Sequence, residues 1–120
     1  DLLGTIDGID LELLLIRLNQ RIEYLVDRDH LIGHAFFIAC RTRDNVDTVM
    51  RRKVLPLLAE YFHEDWERII AVLGGETAQG FILREILDLP PGLDLGMDEV
   101  RYRYTVCESF AQDAYAGLQA

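Results

Sequence analysis

Between positions 10 and 28, in DLELLLIRLNQRIEYLVDR, apolar residues return at three- and four-residue intervals. Leu11, Leu14, Leu15, Leu18, Ile22, Leu25 and Val26 fall on one stripe, which predicts a helix. Leu13 and Ile16 widen the stripe, so the helix is expected to be covered on two sides. Asp7 or Asp10 can cap its N-terminus, and Glu12 suits the positive end of its dipole. A second stripe, Val46, Val49, Met50, Val54, Leu57, Leu58 and Tyr61, predicts a helix over 44–62. Pro56 lies inside it. Proline removes a backbone donor and crowds the carbonyl four residues back, so a kink is expected near Arg52. A third helix is expected over about 64–73, EDWERIIAVL, with an acidic start and Gly74-Gly75 as its stop.

The last third changes character. GFILREI, 80–86, reads as a strand or a short helix. The segment 88–100, DLPPGLDLGMDEV, holds two prolines and two glycines and reads as a loop. VRYRYTV, 100–106, alternates and is rich in strand formers. Residues 108–118 are expected to form a short terminal helix. The elements add up to a mainly α domain: a small helical bundle with a short two-stranded antiparallel hairpin, 80–84 pairing with 101–105. An isolated hairpin is marginal and must pack on the helices.

One string departs from these patterns. In DHLIGHAFF, 29–37, Gly33 and His34 interrupt an apolar run from Leu31 to Phe37. Glycine weakens regular structure, and a histidine among apolar neighbours needs a partner. The string is a structural joint, a metal site or a contact to something outside the chain. His30 and His34 have the four-residue spacing of a zinc helix, but Leu31 stands where H-E-x-x-H needs its glutamate. His63, Glu64 and Asp65 look ligand-like but fit a polar helix start.

With 120 residues the chain is sized for one domain, 1–120. Its first residue, Asp1, hints at a processed chain or an excised piece of a larger protein. The formal net charge of −9 argues against a broad basic nucleic-acid face. Arg51, Arg52 and Lys53 are best explained as a solvated helix face. Arg101 and Arg103 fall on one strand face and Tyr102 and Tyr104 on the other, which is weak evidence for base stacking in acidic surroundings. Cys40 and Cys107, with no C-x-x-C, fit free thiols in a reducing cytoplasm, as core or half-buried groups. No stretch approaches a membrane span. Gly74-Gly75-Glu76-Thr77 lacks the lysine and spacing of a phosphate-binding loop, and Ser109 lacks the setting of a nucleophile. The residues describe an accessory helical module without a complete active site.

Three segments together resemble a known family: LNQRIEYLVDRDHLIGHAFF (18–37), KVLPLLAEYFHEDWERIIAVLG (53–74) and RYRYTV (101–106). They are similar to the C-terminal region of McrB-type AAA+ proteins, the GTPase subunits of 5-methylcytosine-specific restriction systems and related ATPases. The likeness covers 10–74 well and the tail loosely. It implies a C-terminal lid domain following a nucleotide-binding core, with the P-loop, acidic strand motif, sensor asparagine and arginine finger upstream of Asp1. The parent would use GTP or ATP with magnesium, while the piece alone would bind no cofactor and be catalytically silent. The partners implied are the AAA+ core of the same chain, neighbouring subunits of a ring (expected to be a hexamer), a nuclease subunit, and DNA through other domains. The setting implied is cytoplasmic. Gly33 would allow a close approach to another surface, and His34, Arg28 and Arg21 are the residues placed to reach the nucleotide or the core–lid hinge. The other reading is a free-standing acidic helical module that binds a partner protein.

Overall fold

A computed structural model of the chain describes residues 3–93 and 100–120, with the backbone alone at positions 76 and 77. Two very short strands, β1 (Thr5–Ile6) and β2 (Ile9–Asp10), open the chain as an antiparallel hairpin. Its turn is Asp7-Gly8, at φ 50° and 82°. Two successive positive φ values are what an Asp-Gly turn supplies between twisted strands. Asp7 is therefore spent on the turn, and Asp10 is the cap of the first helix, accepting from the Leu13 N–H at 3.1 Å.

Helix α1 (Leu11–Leu25) is the centre of the domain. Leu11, Leu14, Leu15, Leu18 and Ile22 are buried, and the helix packs on α4 (Trp66–Val72) and α5 (Ala114–Gln119). The wider stripe is only partly covered, because Leu13 is half-buried and Ile16 is exposed.

The long helical pattern expected over 44–62 is three pieces in line. Helix α2 (Arg43–Val49) opens with a capping box between Thr42 and Asn45. A π turn follows over Met50–Val54, and then α3 (Leu55–Tyr61). The Leu55 N–H reaches back to the Met50 carbonyl, five residues away. Pro56 has no N–H to offer and crowds position 52, and the widened turn just before it absorbs that disturbance. The disruption expected near Arg52 is present as a π turn.

Helix α4 is shorter than the 64–73 pattern. His63 and Glu64 take left-handed backbone, φ 51° and 61°, and turn the chain between α3 and α4. Asp65 then caps α4, accepting from the Arg68 N–H. Gly74 and Gly75, at φ 120° and 67°, end it as expected.

A 3-10 segment (Gly75–Gly80) leads to β3 (Ile82–Ile86), which pairs antiparallel with β4 (Tyr102–Val106). The register is Ile82↔Val106 through Ile86↔Tyr102, so the expected pairing of 80–84 with 101–105 is out of register. Position 80 is unavailable to a strand. A Cβ on Gly80 would lie 2.7 Å from the Ala114 Cβ, so the 3-10 segment is pressed against α5 there. Positions 94–99 of the expected connecting loop lie outside the described residues. Tyr102 and Tyr104 are half-buried and Arg101 and Arg103 exposed, as the alternation predicts, and Tyr104 stacks on Trp66 of α4.

The terminal helix is six residues long rather than eleven, starting at Ala114. The reason lies on α2 and the π turn. Arg51 donates to the carbonyls of Cys107 and Glu108, both at 2.8 Å, and its guanidinium lies over the Phe110 ring. Arg43 donates to the carbonyls of Phe110, Ala111 and Gln112. Carbonyls engaged by two guanidinium groups are held in place as an irregular strap. The expectation that Arg51, Arg52 and Lys53 form one solvated face is corrected: Arg52 and Lys53 are exposed, while Arg51 fastens the tail. Below the strap, Tyr115 is buried and donates to Asp47 at 2.5 Å. Burial first, then the bond to Asp47, drives its phenol pKa far upward, so it stays a donor.

Among the described residues, no helix is long and apolar enough to cross a membrane.

Candidate functional site

The segment after α1 combines short, irregular turns with exposed polar groups. It starts where Val26 ends the helix. Asp27 accepts from the Asp29 N–H at 2.9 Å and from His30 Nδ1 at 2.5 Å, which closes a 3-10 turn over Arg28–His30. The bond to His30 is the main cause that lowers the Asp27 carboxyl pKa. The His30 and Tyr61 rings pack nearly perpendicular, with centroids 4.7 Å apart, which joins the turn to α3.

The chain then turns back across α1. The carboxamide of Asn19 holds Ile32 from both sides: Nδ2 donates to the Ile32 carbonyl at 2.9 Å, and the Ile32 N–H donates to Oδ1 at 2.7 Å. Two positions later, His34 Nε2 lies 3.1 Å from Glu12 Oε2, in the first turn of α1. The segment is thus pinned to the helix at position 19 and again at position 12. Ile16, one turn beyond Glu12, lies between the pins and is exposed.

Gly33 links the two pins in extended backbone, φ −89° and ψ 163°. It starts a second 3-10 turn, His34–Phe36. Nothing lies within 4 Å of where a Cβ on Gly33 would stand. Neither its conformation nor its surroundings among the described residues call for glycine. Beyond it, Phe37 is fully buried and Cys40 is buried, and burial raises the Cys40 thiol pKa. Arg41 donates to the carbonyls of Ile38 and Cys40 and closes the segment. The segment therefore has an inward and an outward side. Ile32, Phe37 and Cys40 anchor it, while Leu31, Gly33, His34, Ala35, Ile38 and Ala39 face outward.

The four residues singled out from the sequence do not form one cluster. His34 sits over the N-terminal turn of α1, with its side chain 46% exposed. Arg28 is exposed beyond the other end of the helix. The 15 residues of α1 separate them by a helix about 22 Å long. Arg21 is half-buried on another side, donating to the carbonyls of Val72 at 3.1 Å and Leu118 at 3.3 Å. Its guanidinium ties the ends of α4 and α5 to α1. His30 and His34 bind separate carboxylates, Asp27 and Glu12. Among the described residues, no group of three or more potential ligands could hold a metal ion.

Fold and site together define a helical cap around one central helix, with a pinned loop facing outward. The family model described as "McrB, alpha-helical lid domain" matches residues 10–70, half of the chain, and the chain belongs to that family. The matched span runs from the cap of α1 through the outward-facing loop into α4. A search of curated proteins found no match.

Proposed function

We propose that residues 1–120 are a single C-terminal lid domain of an AAA+ nucleoside triphosphatase, the motor of a modification-dependent DNA restriction complex. The observation that carries this reading is the family match over 10–70, combined with an exposed face inside that span built from Ile16, Leu31, Gly33, His34 and Ala35. That face is held from behind by the Asn19–Ile32 pair and by the His34–Glu12 contact, which keeps it in one orientation.

In this reading the face rests on the AAA+ core of the same chain, near the bound nucleotide. The core supplies the phosphate-binding loop, magnesium and the catalytic residues. The lid supplies one wall. The chain's residues fit that limited part: Gly33 leaves room for a close approach, and His34 offers an exposed imidazole held against the half-buried Glu12 carboxylate. GTP or ATP is the nucleotide, and hydrolysis is coupled to rearrangement of a ring, a hexamer, in the cytoplasm. A nuclease subunit and DNA contact other domains. Arg28, exposed at the far end of α1, is read as a contact to the nucleotide or the hinge. Arg21 serves as an internal tie.

The reading is tested by the coding sequence upstream of Asp1. A G-x-x-x-x-G-K-[ST] loop within about 200 residues, the size of one further domain, supports it. A start codon at Asp1 would instead support a free-standing acidic interaction module.

A further inference from the structure

The ring of His34 is held through one of its two nitrogens. Its backbone is fixed first. The Asn19 clamp holds Ile32, two positions earlier, and the His34 carbonyl accepts from the N–H groups of Phe37 at 3.0 Å and Ile38 at 3.1 Å. From that backbone the ring reaches α1, with Nε2 3.1 Å from Glu12 Oε2. Glu12 stands in the first turn of α1, where the positive end of the helix dipole favours an ionised carboxyl. An ionised carboxylate can only accept, so Nε2 carries the proton. A neutral imidazole has a single N–H, which leaves Nδ1 as a bare lone pair. Nδ1 has no hydrogen-bond partner among the described residues, and the side chain is 46% exposed. His30 is held through the opposite nitrogen. Its Nδ1 lies 2.5 Å from Asp27 Oδ1, so Nδ1 donates and Nε2 is the bare one.

We propose that Glu12 is a positioning residue for His34: by taking Nε2 it turns the neutral ring into a hydrogen-bond acceptor, through Nδ1, for an N–H or O–H group of the surface that the loop meets. A phosphate oxygen fits poorly there. It would face a lone pair, with the Glu12 carboxylate close behind the ring. The rest of the face, Ile16, Leu31 and Ala35, is exposed and apolar. A donor that becomes buried against such a face needs an acceptor, and Nδ1 supplies it. The role of Glu12 stands on the geometry of this chain. That the outer surface belongs to a nucleotide-binding core rests on the lid reading.

Alkylation of the 120-residue chain with bromoacetate tests the first part. At about pH 8.5, roughly two units above the ordinary histidine value, the reagent attacks the bare nitrogen. A free imidazole reacts mainly at Nε2, the less hindered position. His34 should react at Nδ1 instead and His30 at Nε2, as located by nitrogen-15 NMR. Glu12→Ala should move the His34 modification to Nε2 and leave that of His30 where it was. Modification of His34 at Nε2 in the unaltered chain would overturn the proposal, and so would a pattern indifferent to Glu12→Ala. The full-length parent tests the second part. His34→Asn puts an amide oxygen near the Nδ1 position, whereas the His34→Gln amide reaches the Nε2 position. Turnover should be roughly five-fold lower in His34→Gln than in His34→Asn. Equal turnover in the two, with the alkylation pattern as expected, would overturn the contact near the nucleotide while the hold of Glu12 on His34 stands.

Discussion

The carboxamide of Asn19 pairs with the backbone of Ile32 as one strand pairs with another, giving and taking one hydrogen bond at 2.9 and 2.7 Å. This contact decides where the loop after α1 lies. With Ile32 fixed, Gly33 can only run along the helix, and His34 arrives at Glu12. Removing the carboxamide leaves a partly buried N–H and C=O without partners. Asn19→Ala should cost about 1–3 kcal/mol. Urea denaturation of both proteins measures it, and a loss below about 0.5 kcal/mol would mean that water replaces the clamp.

The Arg51 guanidinium should matter more than its place in a basic run implies. It binds two carbonyls of the strap and covers Phe110. Arg51→Ala should destabilise the chain by about 1.5–3 kcal/mol, whereas Arg52→Ala, on the exposed side, should stay within about 0.5 kcal/mol. Hydrogen exchange gives the location: amides at 107–112 should lose protection in the first variant alone.

Acid should loosen the turn at Asp27. Its carboxyl pKa is lowered in the fold, chiefly by the bond to His30. A depressed carboxyl pKa adds stability that is present above the unfolded value and lost as pH falls through the folded one. The contribution should therefore be intact at neutral pH and disappear below about pH 4. Asp27→Asn should flatten that part of the stability-versus-pH curve. An unchanged slope between pH 5 and 2 would contradict it.

A change at Gly33 tests the proposed contact apart from folding. Its backbone is one that any residue adopts, and its Cβ position is empty. Gly33→Ala should leave the isolated chain as stable as before or more stable by about 0.4–1 kcal/mol, through lower entropy of the unfolded state. In the full-length parent the same change should impair hydrolysis if the core approaches closely there. Full activity in the parent would remove Gly33 from the interface.

The helical core was legible because it is written in a local period. The Leu11, Leu14, Leu18 and Ile22 spacing, the Gly74-Gly75 stop and the alternation of Tyr102 to Tyr104 each appear within a few residues of sequence. The Asp7-Gly8 turn between Ile6 and Ile9 was equally local, and reading Asp7 as a helix cap passed it over. The contacts that shape the site leave no such trace. Asn19 to Ile32 spans 13 positions, Arg43 to Ala111 spans 68, and Arg51 to Cys107 spans 56. Each joins a side chain to a backbone group, so no pattern of residue types announces it. The hairpin register was misjudged for a related reason: Gly80 is held by its fit against Ala114, a residue 34 positions away, and not by anything in strand β3.

In the proposed function the loop's outward face acts on a nucleotide site while its inward face only holds the domain together. The most direct measurement compares His34→Ala and Phe37→Ala in the full-length parent, recording melting temperature, nucleotide affinity and turnover. His34 is exposed and Phe37 fully buried. His34→Ala should leave melting nearly unchanged and lower turnover more than affinity, since a contact made on closure acts mainly in the transition state. Phe37→Ala should destabilise the domain by about 3–5 kcal/mol. If His34→Ala instead lowers the melting temperature while turnover per folded molecule is unchanged, the loop is a packing joint and His34 has no part in the nucleotide site.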